Sequence, residues 1–453
     1  MSEIEKKLSF VSDKYALSHS PVIPFDPKVG FYVTMPWRNY AIPFEYEGWR
    51  EEQLSWKTTA YISASLNPSP TFAFKGPDAK RFISENLTNG TKTLEIGGGR
   101  HGIMCNEEGL LVSDGVILRT GEDEYLTYWM APYIAYALES GNYNCTGEYL
   151  TGKVFFLQVA GPRSLEILEK AAGESLDDIQ FMHHRMSSIK GHSCRILRLG
   201  MAGSLGYEIY GDLEDAQEVY NAIWEAGEPL GLHKLGYHTY MMNHTESGFP
   251  QAYYHFPYAW ENDEGYQKYM KEKNIKQGAK PALLGSMGPD IKLRYRNPVE
   301  LGWEKCINFN HEFRGKEALQ KIVENPKRKM VTLEWNKEDI FDVYKSQFEP
   351  GEPYPNLDEP NHFLYHYGNQ IMYADQVLDD KGNLIGCSSG RAYSYYYRAM
   401  ISLCSIDVEF SEIGTEVTVV WGDEGTRQKK IRAKVTRFPY YNEDRNEDVK
   451  VGK

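Results

Sequence analysis

Alternating apolar and polar positions dominate the last third of the sequence. The stretches KMVTLEW, QIMYADQVLDD, RAMISLCSIDV and TEVTVVW follow this period of two, which predicts strands with one buried face. Residues 380–383 and 422–425 have the composition of hairpin turns. We therefore predict a small antiparallel β-barrel or sandwich over about 327–438. The Pro-, Asp- and Glu-rich insert 349–362 is predicted to be a surface loop of this unit.

Two earlier segments repeat one pattern. TFAFKGPDAKRFISE (71–85) and VFFLQVAGPRSLEILEK (154–170) each run from an apolar strand through Gly-Pro into a helix with an apolar stripe. Pro77 and Pro162 fall in the first helical turn, which tolerates a missing N–H. The repeat predicts two related α+β halves, over about 61–141 and 152–227.

A helical period follows the second half. After Asp212, apolar residues recur at positions 213, 216, 219, 220, 223 and 224. We predict a helix that Asp212 caps and that turns this stripe toward the core. The composition changes at 326–330, which we predict to be a domain boundary, and residues 441–453 are predicted to form a disordered tail.

Composition limits the class of protein. The chain has 453 residues, which exceeds one ordinary core, and its 41% hydrophobic and 25% charged residues are typical of a soluble globular protein. Its formal net charge of −13 argues against nucleic acid as a partner. No stretch approaches the roughly 18 apolar residues that a membrane span needs. The first residues lack the apolar region of a signal peptide.

Cysteine and histidine spacing bears on location and on metals. The six cysteines are scattered and form no C-x-x-C pair, which predicts free thiols and a cytoplasmic location. The histidines form neither H-E-x-x-H nor another familiar ligand ladder. We therefore predict no metal site.

One glycine-rich stretch presents a single carboxylate. In LGMAGSLGYEIYG (199–211), three glycines precede a short strand that carries Glu208. The order does not fit a dinucleotide fingerprint, in which the glycines follow a strand. Strand alternation puts Glu208 on the face opposite Tyr207 and Ile209. If those two face the core, Glu208 faces a cavity or solvent, and the glycines favour close approach by a flat ligand.

Two further groups of polar residues leave their interpretation open. Asp114, in CNEEGLLVSDGVILR, is either a turn or cap residue or a functional carboxylate. The stretch GYHTYMMNHTESGFP brings Tyr240, Asn243, His244 and Glu246 close together in sequence. These residues form either an ordinary polar helix face or the wall of an active site.

Several motifs in order resemble one known family. GMAGSLGYEIYG, NEEGLLVSDG, LQVAGPRS, NHTESG, PVELGWEKCINFNHEFRGKEAL and TEVTVVWG resemble the folate-binding aminomethyltransferases, the family of the glycine-cleavage T-protein. The resemblance runs from about Trp56 to Trp421. Within the family, Y-x-x-N-x-x-E-S-G, from Tyr240 to Gly248, is most similar to tetrahydrofolate-dependent aryl O-demethylases that act on vanillate and syringate.

The resemblance implies a fold and a division of the chain. We expect an α+β fold with two related halves and a C-terminal antiparallel β-barrel. An N-terminal segment, 1–55, would pack on a folate-binding catalytic region, 56–326, which is followed by the barrel domain, 327–440, and the tail, 441–453. The expected cofactor is tetrahydrofolate.

The resemblance also implies roles for individual residues. Glu208 would accept hydrogen bonds from the pterin ring, which offers adjacent N–H donors, and Tyr240 would donate to the departing ether oxygen. The site residues expected in this way are, for catalysis, Tyr240 and His244; for the cofactor, Glu208, Phe181, Tyr207 and Asp114; and for the substrate, Trp129, Ser65 and Phe249.

One departure from the demethylases concerns the substrate. Ser65 and Pro68 stand where those enzymes have a glutamine and a histidine that touch the phenolic substrate, and Trp129 and Met130 stand where an arginine is expected. We therefore predict a cytoplasmic enzyme that transfers one carbon from a neutral methoxy- or methylenedioxy-aromatic compound to folate. A homodimer is the predicted assembly. The alternatives are transfer from a sulfonium or methylated amine, and a folate-binding protein without catalysis.

Overall fold

A computed structural model of the chain describes residues 18–35, 38–91, 93–260, 263–275, 281–362, 365–366 and 369–451. Its α-helices are α1 Trp49–Thr58, α2 Ala79–Asn86, α3 Tyr133–Ser140, α4 Ser164–Ala172, α5 Ala216–Gly227, α6 Tyr237–Ser247, α7 Glu264–Glu272, α8 Lys316–Glu324 and α9 Lys337–Ser346. The predicted stripe after Asp212 is buried on α5, but the helix starts later than expected. A 3₁₀ turn, Leu213–Asp215, separates Asp212 from it, and Asp212 caps neither element with its side chain.

Within the described ranges, the strands fall into four sheets. In chain order they are β1 Ser18–His19, β2 Tyr32–Met35, β3 Arg38–Pro43, β4 Ala60–Ser63, β5 Thr71–Lys75, β6 Gly99–Cys105, β7 Leu111–Arg119, β8 Glu124–Tyr128, β9 Thr146–Tyr149, β10 Val154–Ala160, β11 His184–Ile189, β12 His192–Leu197, β13 Gly206–Asp212, β14 Leu232–Lys234, β15 Ala282–Leu284, β16 Arg328–Trp335, β17 Tyr365–His366, β18 Asn369–Leu378, β19 Leu384–Ser394, β20 Ala399–Asp407, β21 Glu416–Trp421 and β22 Lys429–Thr436.

The repeated strand–Gly-Pro–helix pattern forms one unit in each of two sheets. The first sheet has the order β6-β7-β8-β5-β9, and the second has the order β11-β12-β13-β10-β4-β14. At both repeats the glycine has a positive φ and lies against another backbone segment. A Cβ would lie 2.4 Å from the Asn144 carbonyl oxygen at Gly76 and 2.5 Å from that of Thr59 at Gly161. The repeat therefore reflects the same close approach in both sheets.

The boundary between the halves differs from the prediction. Strand β4 falls within the predicted first half, yet it pairs with β10 and β14 and so belongs to the second sheet. Its residues Ala60, Tyr61 and Ile62 are buried with the helices of that sheet. An apolar strand pairs where both of its faces can be buried, and the local sequence pattern does not show which sheet provides that burial.

The N-terminal strands form a separate sheet of order β1-β3-β2 beside α6. Glu52 accepts hydrogen bonds from the backbone N–H groups of Tyr46 and Gly236, at 2.6 and 2.9 Å. Glu45 is bonded to the His238 ring at 2.7 Å. These contacts hold the segment that leads into α6.

The predicted C-terminal barrel is confirmed. Strands β18-β19-β20-β16-β22-β21 are antiparallel neighbours, and pairing of β18 with β21 closes them into a six-stranded barrel. Both predicted hairpin turns connect neighbouring strands. The sequence patterns missed α9, which Asn336 caps by accepting from the N–H groups of Glu338 and Asp339. The insert 349–362 starts exposed, but its end, Asn361 and His362, is buried.

The predicted disorder of the tail is wrong for residues 441–451. Tyr441 is 4% exposed and Asn446 is 1% exposed. The Arg198 guanidinium, at the end of β12, donates to the carbonyl and side-chain oxygens of Asn446 at 2.6 and 3.1 Å. The Asn446 N–H donates to the carbonyl of Gly203 at 2.8 Å. A buried arginine that needs acceptors explains why the charged tail is ordered.

Candidate active site

Strand register places Glu208 on the face of the second sheet that meets the first sheet. Glu208 pairs with Gln158, and the side chain is only 2% exposed. Its carboxylate accepts hydrogen bonds from the Tyr210 hydroxyl at 2.5 Å and from Gln158 Nε2 at 3.4 Å. Burial raises the pKa of Glu208 to about 7, although both hydrogen bonds act to lower it. Glu208 is thus a buried carboxyl that titrates near neutral pH.

Tyr207 occupies the other face of the same strand, as alternation predicts. Its side chain is fully buried among the core residues that pack against α4 and α5, with Ile167 and Ile209 among them. Within the described residues its hydroxyl has no hydrogen-bond partner. The structure therefore does not bring Tyr207 together with Glu208. The position of Tyr207 in the core does not support its predicted contact with the cofactor.

The glycines before Glu208 serve the protein's own packing. Gly203 has φ +83°, and a Cβ there would lie 2.6 Å from the Arg445 guanidinium. A Cβ at Gly206 would lie 2.9 Å from Ala160 on the neighbouring strand. The expectation that these glycines make room for a flat ligand is wrong at both positions, because protein atoms fill the space.

The first sheet carries Asp114 on the face that meets the second sheet. Asp114 Oδ2 lies 2.9 Å from His101 Nε2, and Oδ1 accepts from the Tyr258 hydroxyl at 2.7 Å. Although burial lowers the pKa of His101, its hydrogen bonds with Asp114 and Cys306 outweigh that effect and raise the pKa to about 9. His101 therefore carries a positive charge beside Asp114 at neutral pH.

Helix α6 spans the distance between these two carboxylates. Tyr240 is 1% exposed and lies close enough to Tyr61 and Tyr210 to interact electrostatically with both hydroxyls. One turn later, the His244 ring is 5.7 Å from the Tyr240 ring and within electrostatic range of Asp114. Tyr240 thus faces the side of Glu208, and His244 faces the side of Asp114.

His244 is held as a neutral ring. Its Nδ1–H donates to the Phe249 carbonyl at 3.1 Å, which leaves a lone pair on Nε2. That Nε2 is buried and has no hydrogen-bond partner among the described residues. Burial lowers the pKa of His244 to about 4. The ring therefore presents a buried acceptor nitrogen.

Other residues of the α6 motif have a structural role. Glu246 is fully buried and forms an ion pair with Lys57 of α1. It also accepts from the Trp56 indole N–H at 3.1 Å. This pair fixes α6 against α1 and does not point to chemistry.

Aromatic rings fill the contact between the two sheets, here called the intersheet cluster. The Tyr128 and Tyr210 rings stack at 3.7 Å, and Phe156 lies 5.3 Å from Tyr210. The half-buried side chains of Trp129 and Phe181 pack against the cluster. Trp129 has φ 72°, which is rare for a bulky residue and is typical of a functional or strained position.

The remaining predicted substrate residues lie on two sides of the site. Ser65 is buried just after β4 of the second sheet. The Phe249 ring lies 5.2 Å from His101 and 5.4 Å from Trp303, on the side of Asp114. The structure thus groups Glu208, Tyr240, Trp129 and Phe181 near the intersheet cluster. It groups Asp114, His244 and Phe249 around His101.

Sequence reasoning missed the partners that surround the predicted residues. They are Tyr61, His101, Gln158, Tyr210 and Tyr258. Alternation along 154–160 would have turned Gln158 to one face of its strand, but the pairing with Glu208 depends on two segments 50 residues apart. His101 had no signal of its own in the sequence.

Across the described ranges, no helix has the length and apolar character to cross a bilayer. Within the same part of the chain, no three His, Cys, Asp or Glu side chains lie close enough together to hold a metal ion.

Known proteins resemble the chain along most of its length. Residues 33–255 match the family described as the GCVT N-terminal domain. The chain is 43% identical over 419 residues to sesamin methylene transferase of Sinomonas sp. (strain No.22), covering 90% of this chain and 92% of that protein. It is 29% identical over 424 residues to syringate O-demethylase of Sphingobium sp. (strain NBRC 103272 / SYK-6), covering 88% and 90%.

A solved structure agrees with the fold. Glycine cleavage system aminomethyltransferase T from Bartonella henselae superposes with a TM-score of 0.68 at 18% identity, covering 95% of this chain and 99% of that one. The chain belongs to the GCVT family of aminomethyltransferase-like proteins. The predicted resemblance and the predicted fold are therefore confirmed.

Proposed function

We propose that the chain is a tetrahydrofolate-dependent one-carbon transferase that removes a methylene or methyl group from an aryl ether. The observation that carries this proposal is the placement of a buried carboxyl, Glu208, and a tyrosine, Tyr240, on one aromatic-lined region between the two sheets. Relatives named for methylene transfer and O-demethylation, at 43% and 29% identity, support it. The aminomethyltransferases are 24% identical, which favours an ether over an amine.

The residues at Glu208 fit a reduced pterin. Its 2-amino-4-oxo edge presents adjacent N–H donors, and a carboxylate accepts two such bonds. Burial away from water strengthens these bonds, and the Tyr210 hydroxyl already donates to the carboxylate from the same face of the strand. Glu208 and Phe181 would hold the cofactor, with Asp114 on the opposite sheet. When bound, tetrahydrofolate supplies the nitrogen that accepts the one-carbon unit.

Tyr240 would act on the departing oxygen. An aryl oxide is a poor leaving group, so a positioned O–H donor accelerates its departure by about 10²–10⁴-fold. Burial at 1% exposure excludes competing water from this hydroxyl. His244 keeps its Nε2 lone pair at neutral pH and can accept a hydrogen bond on the Asp114 side. The α6 helix thus carries a donor and an acceptor one turn apart.

The proposed substrate is a neutral methylenedioxy- or methoxy-aromatic compound. Trp129, Phe156 and Phe249 present apolar rings near the site. Arg195 is the cross-strand neighbour of Tyr210, and its guanidinium already donates to His184 Nδ1 at 2.8 Å. We therefore do not assign it to a substrate carboxylate. The free thiols of the described cysteines support the predicted cytoplasmic location. A homodimer stays a prediction.

A substrate panel tests the proposal. The protein is incubated with tetrahydrofolate and with methylenedioxyarenes, methoxyarenes, sulfoniums and methylated amines, and the folate products are identified by mass. We expect 5,10-methylene-tetrahydrofolate from a neutral methylenedioxyarene, with higher kcat/KM than for the matching benzoate. Turnover of only the amines or sulfoniums would contradict the proposal. A benzoate that outperforms its decarboxylated analogue would contradict the neutral substrate.

A further inference from the structure

A chain of hydrogen bonds connects helix α6 to Glu208 through side chains on three different elements. Asn243 Nδ2 of α6 lies 3.3 Å from the Tyr61 hydroxyl of β4. The Tyr61 hydroxyl donates to Gln158 Oε1 of β10, and Gln158 Nε2 lies 3.4 Å from Glu208 Oε1 of β13. All four side chains are buried, at 2% exposure or less. The chain starts one turn from Tyr240 and ends at the candidate pterin carboxylate.

Once Glu208 is ionised, its carboxylate fixes the direction of every bond in the chain. An ionised carboxylate only accepts, so the Gln158 amide must turn its NH₂ group toward Glu208 and its oxygen toward Tyr61. Tyr61 must then donate to Gln158, and its oxygen is left to accept from Asn243. Each donor therefore points along the chain toward Glu208, which favours negative charge there.

We propose that Gln158 and Tyr61 are positioning residues for the Glu208 carboxylate: through the hydrogen-bonded chain they hold it in the ionised form that accepts N–H donors. The proposal rests on the folate site of the proposed function. Neither residue needs to touch the cofactor, because both act through Glu208. The same chain fixes the spacing between Glu208 and the helix that carries Tyr240.

The other groups around Glu208 do not titrate in the same range. Tyr61, Tyr128 and Tyr210 interact electrostatically with Glu208, and burial raises the pKa of each above that of a free tyrosine. Tyr240 faces Tyr61 and Tyr210, and Arg195 faces Tyr128. Burial lowers the pKa of Arg195, but an arginine in this setting keeps its charge at neutral pH. A titration near pH 7 at this place therefore reports Glu208.

Infrared difference spectroscopy of the ligand-free protein measures that titration directly. The protonated carboxyl band of Glu208 is identified by its loss in Glu208→Gln and followed against pH. In Gln158→Leu we expect the midpoint to rise by about one pH unit, because a hydrogen bond to a charged group is lost. Gln158→Met and Tyr61→Phe, which retain shape, should shift it in the same direction. Ser63→Ala, next to Gln158 in register, is the control and should leave it unchanged.

Tetrahydrofolate binding supplies the second readout. If the hydrogen-bonded chain holds Glu208 ionised, Gln158→Leu weakens tetrahydrofolate binding about fivefold at pH 7. As the pH rises to 9, the affinity of this variant reaches that of the wild type, because Glu208 is then ionised in both. An unshifted carboxyl midpoint in all three variants, or a loss of affinity that is equal at every pH, would overturn the proposal. Absence of tetrahydrofolate binding in the wild type would instead overturn the proposed function, and the infrared titration would still decide whether Gln158 and Tyr61 control Glu208.

Discussion

The first and second sheets each turn one carboxylate toward the space between them, and they stabilise it in different ways. Asp114 of the first sheet is bonded to His101, which carries a positive charge at neutral pH, and to Tyr258. Among the described residues, Glu208 of the second sheet receives bonds only from the neutral groups Tyr210 and Gln158. Both sheets contain the same strand–Gly-Pro–helix unit, so the difference arises from the side chains that are hydrogen-bonded to each carboxylate.

This difference separates two kinds of chemistry. A carboxylate with a cationic partner already has its charge compensated before a ligand binds. A buried carboxyl with neutral donors gains most from a ligand that brings further N–H groups. The second sheet is thus the better site for a pterin edge. In the first sheet, His101 already supplies the positive charge that compensates Asp114.

The largest effect is expected at Tyr240, on the helix that joins the two sides. Tyr240→Phe keeps the ring and removes the hydroxyl, so kcat should fall by about 10²–10⁴-fold with KM nearly unchanged. The loss of kcat should be smaller for nitro-substituted aryl ethers, because their more acidic phenols depart without a proton donor. Steady-state kinetics on both ether classes measures this. Activity within about threefold of wild type on an unactivated ether, far below general-acid magnitudes, would show that Tyr240 is not the donor.

The next effect concerns the carboxyl of the second sheet. Glu208→Gln should weaken tetrahydrofolate binding by about 10–100-fold, the range for a lost hydrogen bond to a charged group. Since binding requires the ionised form, wild-type affinity should rise as the pH increases through about 7, the pKa of Glu208. In the variant this rise should disappear. Calorimetric titration between pH 6 and 9 tests both points, and a wild-type affinity that is independent of pH would contradict the assignment.

A smaller effect is expected at the charged pair of the first sheet. The pKa of His101 is raised from 6.5 to about 9 in the folded protein. Its stabilising contribution is therefore complete below about pH 6.5 and is lost as the pH rises through about 9. His101→Gln should remove roughly 2–3 kcal/mol of this pH-dependent stability. Denaturant unfolding at pH 6 and pH 9.5 measures it. Equal pH dependence in the variant and the wild type would exclude His101 as the source.

Local pattern was sufficient for the parts of the structure that depend on neighbouring residues. The repeated Gly-Pro units, the stripe of α5 and the barrel strands follow from periodicity and turn residues. Glu208 and Tyr240 came from motifs whose order along the chain resembles a family. Their partners came from long-range pairing: Gln158 and His101 acquire meaning only when β10 meets β13 and β6 meets β7. The ordered tail was missed for the same reason, because the acceptors it offers serve the distant Arg198.

The smallest effect is expected at Tyr207, the neighbour of Glu208 on the opposite strand face. Tyr207 was expected to contact the cofactor, but the structure buries it in the core, where its hydroxyl lacks a partner among the described residues. Tyr207→Phe removes only that unsatisfied group, so stability should change by less than about 1 kcal/mol and tetrahydrofolate affinity by less than about twofold. Binding and thermal unfolding compare it with Glu208→Gln. If Tyr207→Phe weakens folate binding as strongly as Glu208→Gln does, the two faces of β13 do not have the separate roles that their burial indicates, because only direct contact or a rearranged strand transmits such a loss.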